Sequence, residues 1–185
     1  MASSAMSSTA TLPDSSPGAA GSAEGAESSL PLSGAALHWR ALEGLYTSAP
    51  INLLFDSTLT ISAEGRASIS FTVDERHFHA AGAAHGTIYF KMLDDAAFYA
   101  ANTLVTDRFL LTTSFNLHFT RPVRKGLVTA EGRWISGRRR VLVAESRLID
   151  ADGEEIGRGT GTFQRSRIPL SSLTGYAEAL CTFSP

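Results

Sequence analysis

The segment from His85 to about Thr103 is the one long stretch of helical character in the chain, and four period-two runs follow it. It is Ala-rich from Ala96 to Ala101, contains no proline, and after Gly86 has no glycine, so nothing in it interrupts a helix. Behind it, "LLTTSFNLHFT" places Leu111, Thr113, Phe115, Leu117 and Phe119 on one face. "GLVTAEGRWIS", "RRVLVAESRLID" and "EEIGRGTGTFQR" come next, set apart by turn signals at Pro122 to Gly126, Ser136-Gly137 and Asp150 to Gly153. Ahead of the helix, "RASISFTVD" alternates Ala67, Ile69, Phe71 and Val73 with Arg66, Ser68, Ser70 and Thr72, and "NLLFDSTLTIS", turned by Glu64-Gly65, supplies a hairpin partner. Flanking helices are expected in "ALHWRALEGLYTSAP", residues 36 to 50, and near Leu170 to Leu180.

One helix cannot bury itself, and an antiparallel sheet needs one face covered. The expected class is therefore α+β, a long central helix wrapped by a curved antiparallel sheet. The last strand fits this: Gly157, Gly159 and Gly161 share one face, and a large side chain or a backbone must fill the space above them.

Residues 1 to 35 read differently. They are mostly Ser, Ala, Gly and Pro, have no aromatic residue, and carry only Asp14, Glu24 and Glu27 as charges. Such a segment buries too little apolar surface to offset its ordering entropy, so the expected organisation is an unstructured tail, 1 to 35, and a single domain, 36 to 185. The tail lacks the arginines of a transit peptide and the charged start and apolar run of a secretory signal. The 185 residues carry a net charge of −2. With the three acidic residues of the tail set aside, 16 basic residues face 15 acidic ones. That balance offers nothing to nucleic acid or to a membrane surface. The lone Cys181 allows no internal disulfide and no metal-binding spacing, and a cytoplasmic setting is expected.

The chemistry concentrates in "HFHAAGAAHGTIYFKMLDD", residues 77 to 95. Gly82 and Gly86 bracket the turn into the helix. A helix N-terminus presents unpaired N–H groups and partial positive charge, and a glycine there lets a ligand atom approach the backbone. These are the requirements of an oxyanion hole, although a tight turn would use the same glycine. Asp94 and Asp95 lie mid-helix, where aspartate is a poor choice and seldom buried unless paired. Lying about 100° apart around the axis, the two are not expected to reach the same contact. They occupy either a solvated edge or, for one of them, a cleft in which it serves as base or nucleophile. His77, His79 and His85 have neither the H-E-x-x-H spacing nor the nearby cysteine of a zinc site, so no metal is expected. His118, between Leu117 and Phe119 on a strand, reads as structural. "GRRR", Gly137 to Arg140, is a basic cluster at a hairpin turn, suited to phosphates or to plain solvation.

The run "HFHAAGAAHGTIYFKMLDDAAFYAAN", with "FNLHFTRPVRKG" after it and "GRGTGTF" in the last strand, resembles the PaaI-like branch of the hot-dog-fold acyl-CoA thioesterases. The resemblance covers about residues 50 to 165, and its motif, H-x-N-x-x-G-x-x-H-G-G with a downstream aspartate, matches without gaps from His77 to Asp94. It implies a homodimer with the active site between protomers; family members commonly pair further into homotetramers, and the resemblance leaves dimer or tetramer open. It implies that the Gly86 N–H binds the thioester carbonyl oxygen and that His85 orients the turn. Asp94 from the opposite subunit would activate water or attack directly, Thr112 would assist, and Arg138, Arg139 and Arg140 would contact the CoA phosphates. Asp95 matches no catalytic position. No cofactor is implied, since CoA is part of the substrate. Two positions depart from the motif. His79 replaces the Asn, bringing a side chain that titrates near neutral pH, and Thr87 replaces the second Gly, where a β-branched residue is expected to narrow the pocket. The competing readings are an acyl-CoA-binding module without turnover and a hot-dog acyl-thioester hydratase.

Overall fold

The computed structural model describes residues 33–183. Of the expected tail, residues 1–32 lie outside the described residues. Ser33 already belongs to the domain: its side chain accepts from the Ala36 N–H and caps α1, Gly34–Ser48. The boundary therefore falls a few residues earlier than composition suggests, because Ser33 is an N-cap rather than one more small polar residue.

Six strands form one antiparallel sheet in the order β1-β2-β4-β5-β6-β3. They are β1, Thr58–Ala63; β2, Arg66–Val73; β3, Arg108–Phe119; β4, Gly126–Ser136; β5, Val141–Asp150; and β6, Glu155–Pro169. The central helix α2 spans Gly86–Asn102 and touches every strand. Gly65, at φ +74°, turns β1 into β2 as expected. The C-terminal helix α3, Thr174–Phe183, packs on α1.

The contact between α2 and the sheet is unusually close. A Cβ on Gly132 in β4 would lie 2.0 Å from the Ala96 carbonyl oxygen. In β5, the buried Ser146 donates its hydroxyl to the Leu93 carbonyl at 2.7 Å. Only small side chains fit between backbones at this distance, which accounts for Ala96, Ala97, Ala100 and Ala101 on the helix and Ala130 and Ala144 on the strands, all fully buried. The three glycines of β6 serve the same geometry. The Phe115 ring lies over Gly159 and Gly161, while Tyr89 and Leu93 approach Gly157.

β3 departs from its expected alternation. A register shift between Thr112 and Ser114 inserts one extra residue opposite β6. Leu110 and Thr112 therefore face inward before the bulge, and Phe115, Leu117 and Phe119 after it. Leu111, half exposed, pairs with Gln164 on the outer side instead of joining Phe115. His118 faces outward and is exposed, so it is not the packed structural residue the alternation suggested.

Gly132→Ala is expected to destabilise the protein by about 3 kcal/mol or more, since a methyl group meets backbone rather than a movable side chain. Gly34→Ala, with nothing within 4 Å of the added carbon, should be neutral. Thermal melts of both variants check this; equal melting temperatures would refute the close helix–sheet contact.

Candidate active site

α2 begins where the chain leaves a short 3-10 turn, Glu75–His77. His77 is held there: its Nδ1 accepts from the Asp74 N–H at 3.0 Å, and its ring packs edge-on against Phe71 and stacks with Phe55. The His77 carbonyl in turn accepts from the His85 N–H at 2.8 Å. His85 is the N-cap of α2, its Nδ1 accepting from the Thr87 N–H at 3.2 Å and lying 3.0 Å from the Thr87 hydroxyl. Gly86 is thus the first helical residue, and its N–H finds no acceptor among the described residues.

A cleft of about 370 Å³ opens over Gly86, lined by His79, Ala84, Tyr89, Phe119 and Pro122 among others. The His79 Nδ1 accepts from the Ala81 N–H at 3.0 Å. That bond leaves the proton of the neutral ring on Nε2, available as a donor. Thr87 does not narrow this cleft. One residue on, it has turned about 100° around the axis and lines a separate depression with His85, Leu54 and Phe55.

Asp94 lies two turns further along α2. The bulge in β3 brings Thr112 to it, with the hydroxyl donating to the two carboxylate oxygens at 3.0 and 3.3 Å. Burial pushes the Asp94 carboxyl up to about 6; the Thr112 hydrogen bond and the charge of Lys91 oppose the shift, and the neighbouring Asp95 adds to it. Asp95 was not expected here, yet both aspartates line one cleft of about 270 Å³, together with Ile51, Phe98, Phe109 and Leu110. A cleft, unlike a point contact, can be bordered by both of two adjacent helical positions despite the 100° between them. Asp95 is held by the Lys91 ammonium, four residues back, and burial raises its carboxyl while Lys91 opposes this. Neither Lys91 nor Asn52, which receives a 2.6 Å hydrogen bond from it, carries a signal in the sequence apart from the i,i+4 spacing to Asp95.

The structure does not bring Gly86 and Asp94 of one chain together. Eight residues of helix separate them by about 12 Å along the axis, and they open into different clefts. Both lie on one stripe of α2 with Phe90, beside β3. Among the described residues β3 ends the sheet with its outer edge unpaired, and Phe90, Leu111 and Phe119 are exposed along it. At the β4–β5 turn, Arg138 is committed to Glu64 at 3.0 Å and stacks on Trp134, whereas Arg139 and Arg140 are exposed. Among the described residues no three His, Cys, Asp or Glu side chains gather as a metal would require, and no helix is long and apolar enough to cross a membrane.

A family model, the thioesterase superfamily, matches residues 81–156. Two esterase-type proteins of Saccharolobus solfataricus are 27% identical, one over 100 residues (54% of this chain, 67% of the relative) and the other over 125 residues (67% and 89%). The E. coli PaaI protein from the phenylacetic acid degradation operon superposes with a TM-score of 0.66 at 18% identity, covering 72% of this chain and 96% of that one. The TT0310 protein from Thermus thermophilus superposes with a TM-score of 0.59 at 24% identity, covering 64% and 98%. These likenesses establish the fold.

The electrostatics of Asp94 carry a stability consequence. Its carboxyl titrates at about 6 in the folded chain against about 3.9 in an unfolded one. The folded state therefore holds the proton longer, and stability falls as pH rises from about 4 through 6. Asp94→Asn removes that loss. It is expected to be more stable than wild type by on the order of 1 kcal/mol at neutral pH, after partial solvent screening, and no more stable near pH 4. Urea melts at both pH values check the sign.

Proposed function

We propose that this chain, which belongs to the thioesterase superfamily and has the hot-dog fold, hydrolyses an acyl-CoA thioester in a site shared between two protomers. The observation that carries the reading is the Asp94 carboxylate, half-buried at a cleft, tuned toward neutral pH, and oriented by Thr112. A base must be ionised and within reach of the proton it removes, and one that titrates just below neutral pH satisfies the first condition while remaining basic.

In this reading the Asp94 carboxylate takes a proton from water while the water oxygen attacks the thioester carbonyl carbon. Charge develops on the carbonyl oxygen, where the Gly86 N–H receives it. The C–S bond then breaks, CoA leaves as thiolate and is protonated, and the free acid remains. Direct attack by Asp94, through an anhydride that water then hydrolyses, uses the same groups. His79 occupies the place of the motif's Asn and offers Nε2–H as the equivalent donor. Arg139 and Arg140 are the arginines free to meet CoA phosphates, and no further cofactor is needed.

The separation of Gly86 and Asp94 within one chain supports a shared site. A two-fold pairing along the open edge of β3 would set one chain's Gly86 opposite its partner's Asp94, and would cover Phe90, Leu111 and Phe119.

The test is CoA release across an acyl-CoA panel, for wild type, Asp94→Asn, Gly86→Pro and a refolded mixture of the two variants. Proline suits the first helical position while removing the N–H, so Gly86→Pro is expected to keep the fold and lose about 10²-fold or more in kcat. Wild-type kcat/KM should fall below about pH 6 as Asp94 protonates. Each variant alone should be nearly inactive, and the mixture should regain activity, because a heterodimer contains one pocket with both groups intact. Full activity in Asp94→Asn would overturn the mechanism. A mixture as inactive as its components would overturn the shared site.

A further inference from the structure

The cleft over Gly86 has one wall built from the chain that leaves β3, and that wall is fastened on several sides. Thr120 and Arg121 both donate their N–H to the Ile156 carbonyl of β6, at 3.1 and 3.3 Å. The Ala84 N–H, two residues before Gly86, donates to the Val123 carbonyl at 2.7 Å. The remaining fastening is a side chain. The Tyr89 hydroxyl donates to the Arg121 carbonyl at 2.8 Å and accepts from the buried Val123 N–H at 2.9 Å. Phe119, Thr120, Arg121 and Pro122, which border the cleft, are thereby held against the first turns of α2.

Tyr89 follows Gly86 by three residues and so lies on the same side of the helix. Its ring meets Phe119 edge-on, with the centroids 5.3 Å apart. Phe119 in turn rests on Gly86, where an added Cβ would lie 3.1 Å from the Phe119 Cζ. Tyr89 therefore reaches the Gly86 turn by two routes, one through Phe119 and one through Val123 and Ala84. Packing alone would be met by a phenylalanine. A hydroxyl on a side chain that is 3% exposed loses its water, and this one commits its donor and an acceptor site to a single neighbouring segment. The family motif asks for nothing at position 89.

A donor to a developing oxyanion works only if its direction is set beforehand, and a misplacement of about 1 Å can cost ~10²-fold in rate. The Gly86 N–H has no acceptor among the described residues, so no bond of its own fixes it. Its neighbours do so: His85 through the His77 carbonyl, Ala84 through Val123, and Val123 through Tyr89. We propose that Tyr89 is a positioning residue of this turn, its hydroxyl tying the segment after β3 to α2 and so fixing the direction of the Gly86 N–H. The proposal rests on the thioesterase reading, which supplies the charge that this N–H receives.

The experiment measures CoA release from phenylacetyl-CoA and hexanoyl-CoA by the full chain as wild type, Tyr89→Phe, Gly86→Pro and the double variant. Tyr89→Phe should lower kcat by about tenfold or more and leave KM within about twofold, the pattern of an interaction made in the transition state. In the Gly86→Pro background, where the N–H is already absent, the same substitution should change kcat by less than about twofold. Partial unfolding would lower kcat equally in both backgrounds, so equal losses overturn the proposal. Unchanged kcat in Tyr89→Phe, or a change confined to KM, overturns it as well. If wild type releases CoA from neither compound, the hydrolase reading fails separately, and amide hydrogen exchange decides the positioning. Exchange at Ala84 and His85 that is about tenfold faster in Tyr89→Phe, with the β2–β4 ladder unchanged, sustains it; unchanged exchange at Ala84 and His85 overturns it.

Discussion

The close approach of α2 to β4 and β5 is the constraint on which the rest of the structure depends. Gly132 removes the side chain that would hold the Ala96 carbonyl away, and Ser146 bonds to the Leu93 carbonyl one turn earlier. With the helix backbone lying against the sheet, its alanines pack into the sheet. Larger side chains are displaced to the helix flanks. One flank carries Gly86, Phe90 and Asp94 toward the open edge of β3; the other carries Lys91, Asp95 and Tyr99 toward the loop after α1. The polar residues that seemed anomalous on a buried helix are thus those that do not face the sheet.

Much of this fold is legible in the sequence because the residues that carry it have no other use. An alanine run in a helix with no proline, and three glycines on one face of a strand, both state that a backbone or ring lies close by. The β3 bulge was not legible. "LLTTSFNLHFT" alternates cleanly enough that Leu111 looks as if it shares a face with Phe115, and only pairing with β6 shows that Thr113 is the extra residue. The same bulge turns Thr112 inward to Asp94. A period-two reading points its hydroxyl away, and the family motif alone suggests it. Asp95 was misjudged for a related reason: the angle between adjacent helical residues limits a point contact, not a cleft bordered by two elements.

The two departures from the family motif have different consequences, and local geometry separates them. Thr87, in place of glycine, contacts the capping His85 and lines a different depression, so the Gly86 cleft is not narrowed by it. Its N–H and hydroxyl engage the capping His85 instead. His79 does border the Gly86 cleft, and the Ala81 N–H fixes its tautomer so that a donor remains on Nε2. An asparagine at this position would offer an N–H to the same region. The exchange keeps the donor and adds a group that becomes cationic on protonation.

Asp94 stands between a local cost and the use that the proposed hydrolysis makes of it. Burial and the neighbouring Asp95 both disfavour its charge, and Thr112 and Lys91 restore part of it. Were Lys91 absent, the unneutralised charge on Asp95 would press Asp94 further toward the protonated form, in which it is no longer a base toward water. Were Asp95 absent, Lys91 would be a largely buried cation with only Asn52 and two ring faces to hold it. The Lys91–Asp95 pair therefore keeps a polar floor beneath the cleft without adding net charge beside the Asp94 carboxylate. A surface ion pair of this kind would contribute little to stability. Here its consequence is local, since it leaves the ionisation of Asp94 governed by burial and by the single hydroxyl of Thr112.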